Sequence, residues 1–90
     1  MSPSKQPLAL QSLPNIGTQT ARQLREAGIN TGQQLQETGT EAAFLRIKTI
    51  HPDACLCKLM AIDGAIKGIR WHLLPPERKA FLKEFYGQLK

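Results

Sequence analysis

Two cysteines and two histidines in 90 residues leave this chain poor in the side chains that build disulfide scaffolds and metal centres. The cysteines are Cys55 and Cys57. On a helix they sit about 200° apart around the axis and face opposite ways. That spacing gives neither a bridge nor a shared metal. His51 upstream does not complete a set, because structural zinc takes four convergent ligands. Reduced, mostly buried small side chains are the expectation, with no metal and no cofactor. No run approaches the length of about 18 apolar residues that a membrane span needs. Met1 to Gln11 has no long apolar core of the kind that marks a secretory signal, so a cytoplasmic protein is expected. The chain also lacks a carboxylate pair, a nucleophile beside a base, and a glycine-rich loop ending in Lys-Ser/Thr. Asp63 is the single acid on a largely apolar helix face. These absences predict a non-enzymatic protein with no small-molecule substrate. Finally, no segment alternates strictly between apolar and polar residues, so no strand is expected and the chain reads as all-α.

What is present begins with charge. The net charge is +5, with a pI near 9.6. Residues 1–45 carry three basic and three acidic side chains, whereas residues 46–90 carry nine against four. A basic balance of this kind favours an anionic partner.

The most specific local pattern lies in the neutral half. In Leu13-Pro14-Asn15-Ile16-Gly17, Pro14 fixes its own φ and biases Leu13 towards extended backbone. Asn15 tolerates a left-handed conformation. Ala21, Leu24 and Ala27-Gly28 follow at helical spacing, with Gly28 placed as a C-terminal cap. The segment predicts a tight hairpin feeding a helix over 18–27. The amides at such a helix start can hold a phosphate. The candidate nucleic-acid contacts are Asn15, Ile16, Gly17, the hydroxyls of Thr18 and Thr20, and, a turn further on, Arg22 and Arg25. For the two arginines the alternative is a solvated face, with Glu26 paired to Arg22.

Around this element the pattern predicts a compact single domain of five to six short helices over 8–90, preceded by a flexible start, 1–7. Leu8 to Ser12 forms a short lead-in. Thr31 caps a helix over 33–38 that points Leu35 inward. Thr40 starts another, to about Thr49, with Phe44, Ile47 and Leu45 towards the core. Asp53 caps a long helix to about Arg70, with Leu56, Leu59, Met60, Ile62, Ile66 and Ile69 as its stripe. Pro76 and Glu77 open the last helix, which runs to about Tyr86 on an inner face of Phe81, Leu82 and Phe85.

Gly64 and Gly68 fall inside the long helix, where each costs about 1 kcal/mol relative to alanine. Two readings account for them: close approach of another backbone or of a ring such as Trp71 within the chain, or a contact with a second copy. Asp63 and Lys67, four apart, pair on the surface. Trp71 closes the core between the last two helices or, with Arg70 and His72, forms a surface for an acidic partner.

The segments Leu13-Pro14-Asn15-Ile16-Gly17, Ala27-Gly28-Ile29-Asn30-Thr31, Phe44-Leu45-Arg46-Ile47-Lys48, Gly64-Ala65-Ile66-Lys67-Gly68 and Arg70-Trp71-His72-Leu73-Leu74-Pro75 occur in an order and spacing that resembles the C-terminal domain of the TfoX (Sxy) family, bacterial regulators of DNA-uptake competence. The resemblance covers about Leu10 to Leu82. It implies a helical fold of the helix-hairpin-helix or SAM-like kind, a bacterial cytoplasmic setting, and a part in transcriptional control beside another regulator. Two functions follow. One is a protein-interaction adaptor, whose partner is a transcription regulator or a second copy, with Gly64, Gly68, Arg70, Trp71 and His72 as its interface. The other is sequence-independent DNA binding through the hairpin amides and nearby basic residues.

Overall fold

The computed structural model describes residues 9–89. Among them all regular structure is helical: α1 (Thr18–Glu26), α2 (Gly32–Thr38), α3 (Thr40–Ile50), α4 (Leu56–Lys67) and α5 (Pro76–Gln88), with 3-10 turns at Leu10–Ser12 and Trp71–Leu73. The expected flexible start, 1–7, and Leu8 lie outside the described residues.

The caps account for the brevity of the helices. Gly28 adopts φ +87°, and its amide bonds back to Arg25 O at 3.0 Å. Ile29 then donates to Leu24 O at 2.8 Å and is fully buried. This left-handed exit reverses the chain within two residues of α1. Thr31 caps α2, accepting from the Gln34 amide at 3.1 Å. Gly39, also at φ +87°, stops α2 and directly precedes α3. The core gathers Leu24, Ile29, Leu35, Phe44, Ile47, Leu59, Ile62 and Leu82, all at 0 % exposure, contributed by all five helices and the turn after α1. Leu10, Leu13 and Ile16 anchor the lead-in and hairpin to the same core.

Five expectations change. The long helix is shorter at both ends. Pro52 and Asp53 form a turn in which the Ala54 amide bonds His51 O at 2.9 Å, so Cys55 rather than Asp53 is the N-cap. At the other end Gly68 takes φ +74° and closes the helix as a left-handed cap; it is not an interior residue. Leu45 and Phe81, placed inward by spacing, are 41 % and 43 % exposed. Phe44 and Ile47 fill the α3 core face, and on α5 Leu82 alone is fully buried. Both cysteines are exposed, because one sits outside the helix and the other on its solvent side. Trp71 does not close the core: it is 37 % exposed, on a 3-10 turn between α4 and α5.

The fifth change is Asp63. It pairs with Lys67 as expected, but from a fully buried position rather than on the surface. Its carboxylate accepts from Thr40 Oγ1 at 2.7 Å on α3, from Arg78 Nε at 3.0 Å and Nη2 at 2.8 Å on α5, and from Lys67 Nζ at 3.1 Å one turn along α4. Glu41 lies 3.8 Å from the same guanidinium. Burial pushes the Asp63 carboxyl up, but the hydrogen bonds from Arg78, Thr40 and Lys67 outweigh it and hold the group below the usual carboxylate value. The Arg78 guanidinium is correspondingly raised, first by its bond to Asp63. One charge thus ties three helices.

Candidate functional site

The hairpin is built as its sequence implies, but its parts face different ways. Leu13 is extended before Pro14, and Asn15 has φ +69°, a left-handed residue that turns the chain. This conformation aims the Asn15 side chain inward. Its Nδ2 donates to Ile69 O at 2.9 Å and Ala61 O at 3.4 Å, and its Oδ1 accepts from the Trp71 amide at 3.2 Å. One amide side chain therefore ties the hairpin to the end of α4 and to the following turn. Gly64 makes that approach possible. A Cβ there would lie 2.6 Å from Asn15 Nδ2, 2.7 Å from Ile69 O and 3.1 Å from Trp71 Cα.

The sequence-derived contacts sort accordingly. Asn15 is committed to the chain's own backbone. Ile16 is buried, and its amide bonds Leu13 O at 3.4 Å, so it is not available to a phosphate. Gly17 and Thr18 are exposed, and Thr20 is half-buried. Gly17 is the N-cap of α1 and supplies no side-chain cap. The amides of Thr18, Gln19 and Thr20 have no acceptor among the described residues. Gln11 Nε2 donates to Thr18 Oγ1 at 3.4 Å. Arg22 and Arg25 are exposed. Glu26 does not pair with Arg22; its carboxylate meets His51 Nε2 at 2.7 Å, across to the end of α3. Arg22 borders a shallow polar depression that also carries Glu26 and Asp53.

The interface residues sort just as clearly. Gly64 is buried against its own chain, and Gly68 is an exposed cap, so the two do not form one helical face. Arg70, Trp71 and His72 are exposed, as is Leu73 at 64 %. Their turn is held at three points: the Trp71 amide on Asn15, the His72 carbonyl accepting from Lys79 Nζ at 2.8 Å, and Leu74 buried in the core. The Trp71 and His72 rings meet edge to face at 6.0 Å.

Leu73 and the buried role of Asp63 are what sequence reasoning missed. For Asp63 a signal existed: a carboxylate between Ile62 and Gly64 on an apolar stripe is either misplaced or paired. For Leu73 there was none, because its exposure depends on how the turn leaves α4.

Among the described residues the fold is a small all-helical domain with a hairpin ahead of α1. Among the described residues no group of three or more His, Cys, Asp or Glu side chains is placed to hold a metal. No helix among them is long and apolar enough to cross a membrane. The chain belongs to the TfoX C-terminal domain family, whose model matches residues 6–86. It is also similar to two crystal structures from Listeria monocytogenes. One, described as an uncharacterized protein in a triclinic form, has a TM-score of 0.88 and 42 % identity, and the match covers 89 % of this chain and 91 % of that one. The other, a protein of unknown function in a tetragonal form, also gives 0.88 and 42 %, over 90 % and 99 % of the two chains. No curated protein matches the chain.

Proposed function

We propose that this domain is a cytoplasmic protein-interaction module, a regulatory adaptor of the competence type, which docks an acidic protein partner on the turn Arg70–Leu73. The observation that carries this reading is the exposure of Trp71 and Leu73 on a turn whose backbone is bonded to Asn15 and Lys79. Exposed aromatic side chains on rigid elements are the usual anchors of interfaces, because they bury large areas with little ordering cost. Here Asn15, Lys79 and Leu74 have already fixed the turn. Arg70 beside the apolar pair supplies charge that steers an acidic surface. Capture from a bacterial extract on immobilised protein tests the reading. Wild type and the Arg22→Ala/Arg25→Ala variant are expected to retain the same acidic protein, and Trp71→Ala/Leu73→Ser to lose it. Equal retention by all three contradicts the reading.

A second reading, sequence-independent DNA binding, is favoured by one feature: the amides of Thr18, Gln19 and Thr20 at the uncapped start of α1. Against it stand the inward Asn15, the spent Ile16 amide and the acids beside Arg22. Titration of labelled duplex at low and moderate salt separates the two. Affinity that survives salt and disappears with Gly17→Val supports the hairpin; affinity lost above about 100 mM reflects counterion release alone.

A further inference from the structure

Cys55 and Cys57 lie outside the face described above, and both are exposed. A continuous helix would place them on opposite sides, but Cys55 is not helical. It is the N-cap of α4, with φ −104° and ψ 171°, and Cys57 is the second residue of the helix. At that ψ the Cβ of an N-cap residue swings towards the first turn, on the side of the second and third helical residues, though the Cys55 thiol makes no cap hydrogen bond there. Here those residues are Cys57 and Lys58. Leu56 between the cysteines is helical, which sets their Cα atoms about 5.4 Å apart by helix geometry. A disulfide spans about 4.4–6.8 Å between Cα atoms. The Lys58 amide draws the Cys55 thiol below its usual pKa; slight burial opposes this, and the Cys57 amide and thiol add to the lowering.

We propose that Cys55 and Cys57 form a thiol-modification site for low-molecular-weight disulfides, with Cys55 as the attacking sulfur and Cys57 as the resolving one. The Cys55 thiolate attacks one sulfur of RS–SR, a Cys55–SR bond forms, and RS⁻ leaves. The Cys57 thiol gives up its proton and attacks the Cys55 sulfur, and the second RS⁻ leaves. The two thiol protons end on the two RS⁻ groups. The protein dithiol is oxidised to the Cys55–Cys57 disulfide, and RS–SR is reduced to two thiols. The roles follow from position: Cys55 holds the cap site, where the amides of the first turn favour a thiolate, and Cys57 lies inside the helix.

Glutathione disulfide and intact-mass measurement test this on the whole chain. Wild type is expected to lose two hydrogens and finish without an adduct. Cys57→Ser is expected to accumulate one stable mixed disulfide on Cys55. Cys55→Ser is expected to be modified several-fold more slowly than Cys57→Ser at pH 7. Equal rates in the two variants overturn the assignment of roles. A wild type that stops at a stable adduct, or that crosslinks two chains, overturns the site itself. Both thiols being exposed, serine at either position leaves the core untouched.

Discussion

Asp63 is the residue on which the packing of the last three helices turns. It has no exposure, yet every strong partner it has is cationic or a hydroxyl. Removing the carboxylate leaves Arg78, Lys67 and Thr40 without their shared acceptor, so Asp63→Ala should lower stability by about 3 kcal/mol in urea unfolding. The pH dependence has a definite sign. Asp63 is more acidic in the folded chain than in the unfolded one. Its stabilisation is therefore present above the unfolded carboxylate pKa of about 3.9 and is lost as the pH falls through the lower folded value. Unfolding midpoints of wild type and Asp63→Asn, measured at pH 7 and again below pH 3, should converge in acid. A difference that stays constant contradicts the assignment. Gly64 within α4 and Gly68 at its C-cap make a paired prediction. Gly64→Ala forces its Cβ onto Asn15 and the Ile69 carbonyl and should cost about 3 kcal/mol. Gly68→Ala meets open space and should cost about 1 kcal/mol, for its left-handed backbone alone. Neither substitution should alter the sedimentation of the protein.

At the scale of elements, the helices follow their caps. Thr31 is the one side-chain cap among the described helices, and Thr31→Ala should cost about 1 kcal/mol in thermal unfolding. These stops were legible in the sequence because they are local: Gly28, Thr31, Gly39 and Pro76 act within a few residues of themselves. The hairpin was legible for the same reason, down to the left-handed Asn15. Its orientation was not. Whether Asn15 points outward or in depends on Ile69 and Trp71, more than fifty residues away. The end of α4 was hidden similarly. Gly68 within a run of Ile66, Lys67 and Ile69 reads as a tolerated glycine, unless one knows that the Ile69 amide bonds back to Gly64 O at 2.9 Å. Leu45, Phe81 and Trp71 show the remaining limit. Helical spacing names an apolar face, but the width of that face is set by the neighbouring helices. Asn15→Ala should consequently loosen two elements at once: amide exchange should speed up both in the hairpin and at 69–73, while the centre of α3 keeps its protection.

For the whole molecule, the network around Asp63, the Asn15 clamp and the shared core fix one surface. Among the described residues its most exposed large apolar side chain is Leu73, two residues from the exposed Trp71. Trp71 is the single tryptophan, so emission reports this turn alone. It should be red-shifted and readily quenched in the free protein and shift to the blue on docking. The hairpin and the turn are joined through Asn15, yet they present different chemistry: bare amides on one and apolar side chains on the other. Which of them meets the partner is decided by backbone amide exchange of the domain with and without the protein it captures. Protection confined to 70–74, with 17–22 unchanged, is the predicted result. Protection at 17–22, with 70–74 exchanging as in the free chain, would contradict it.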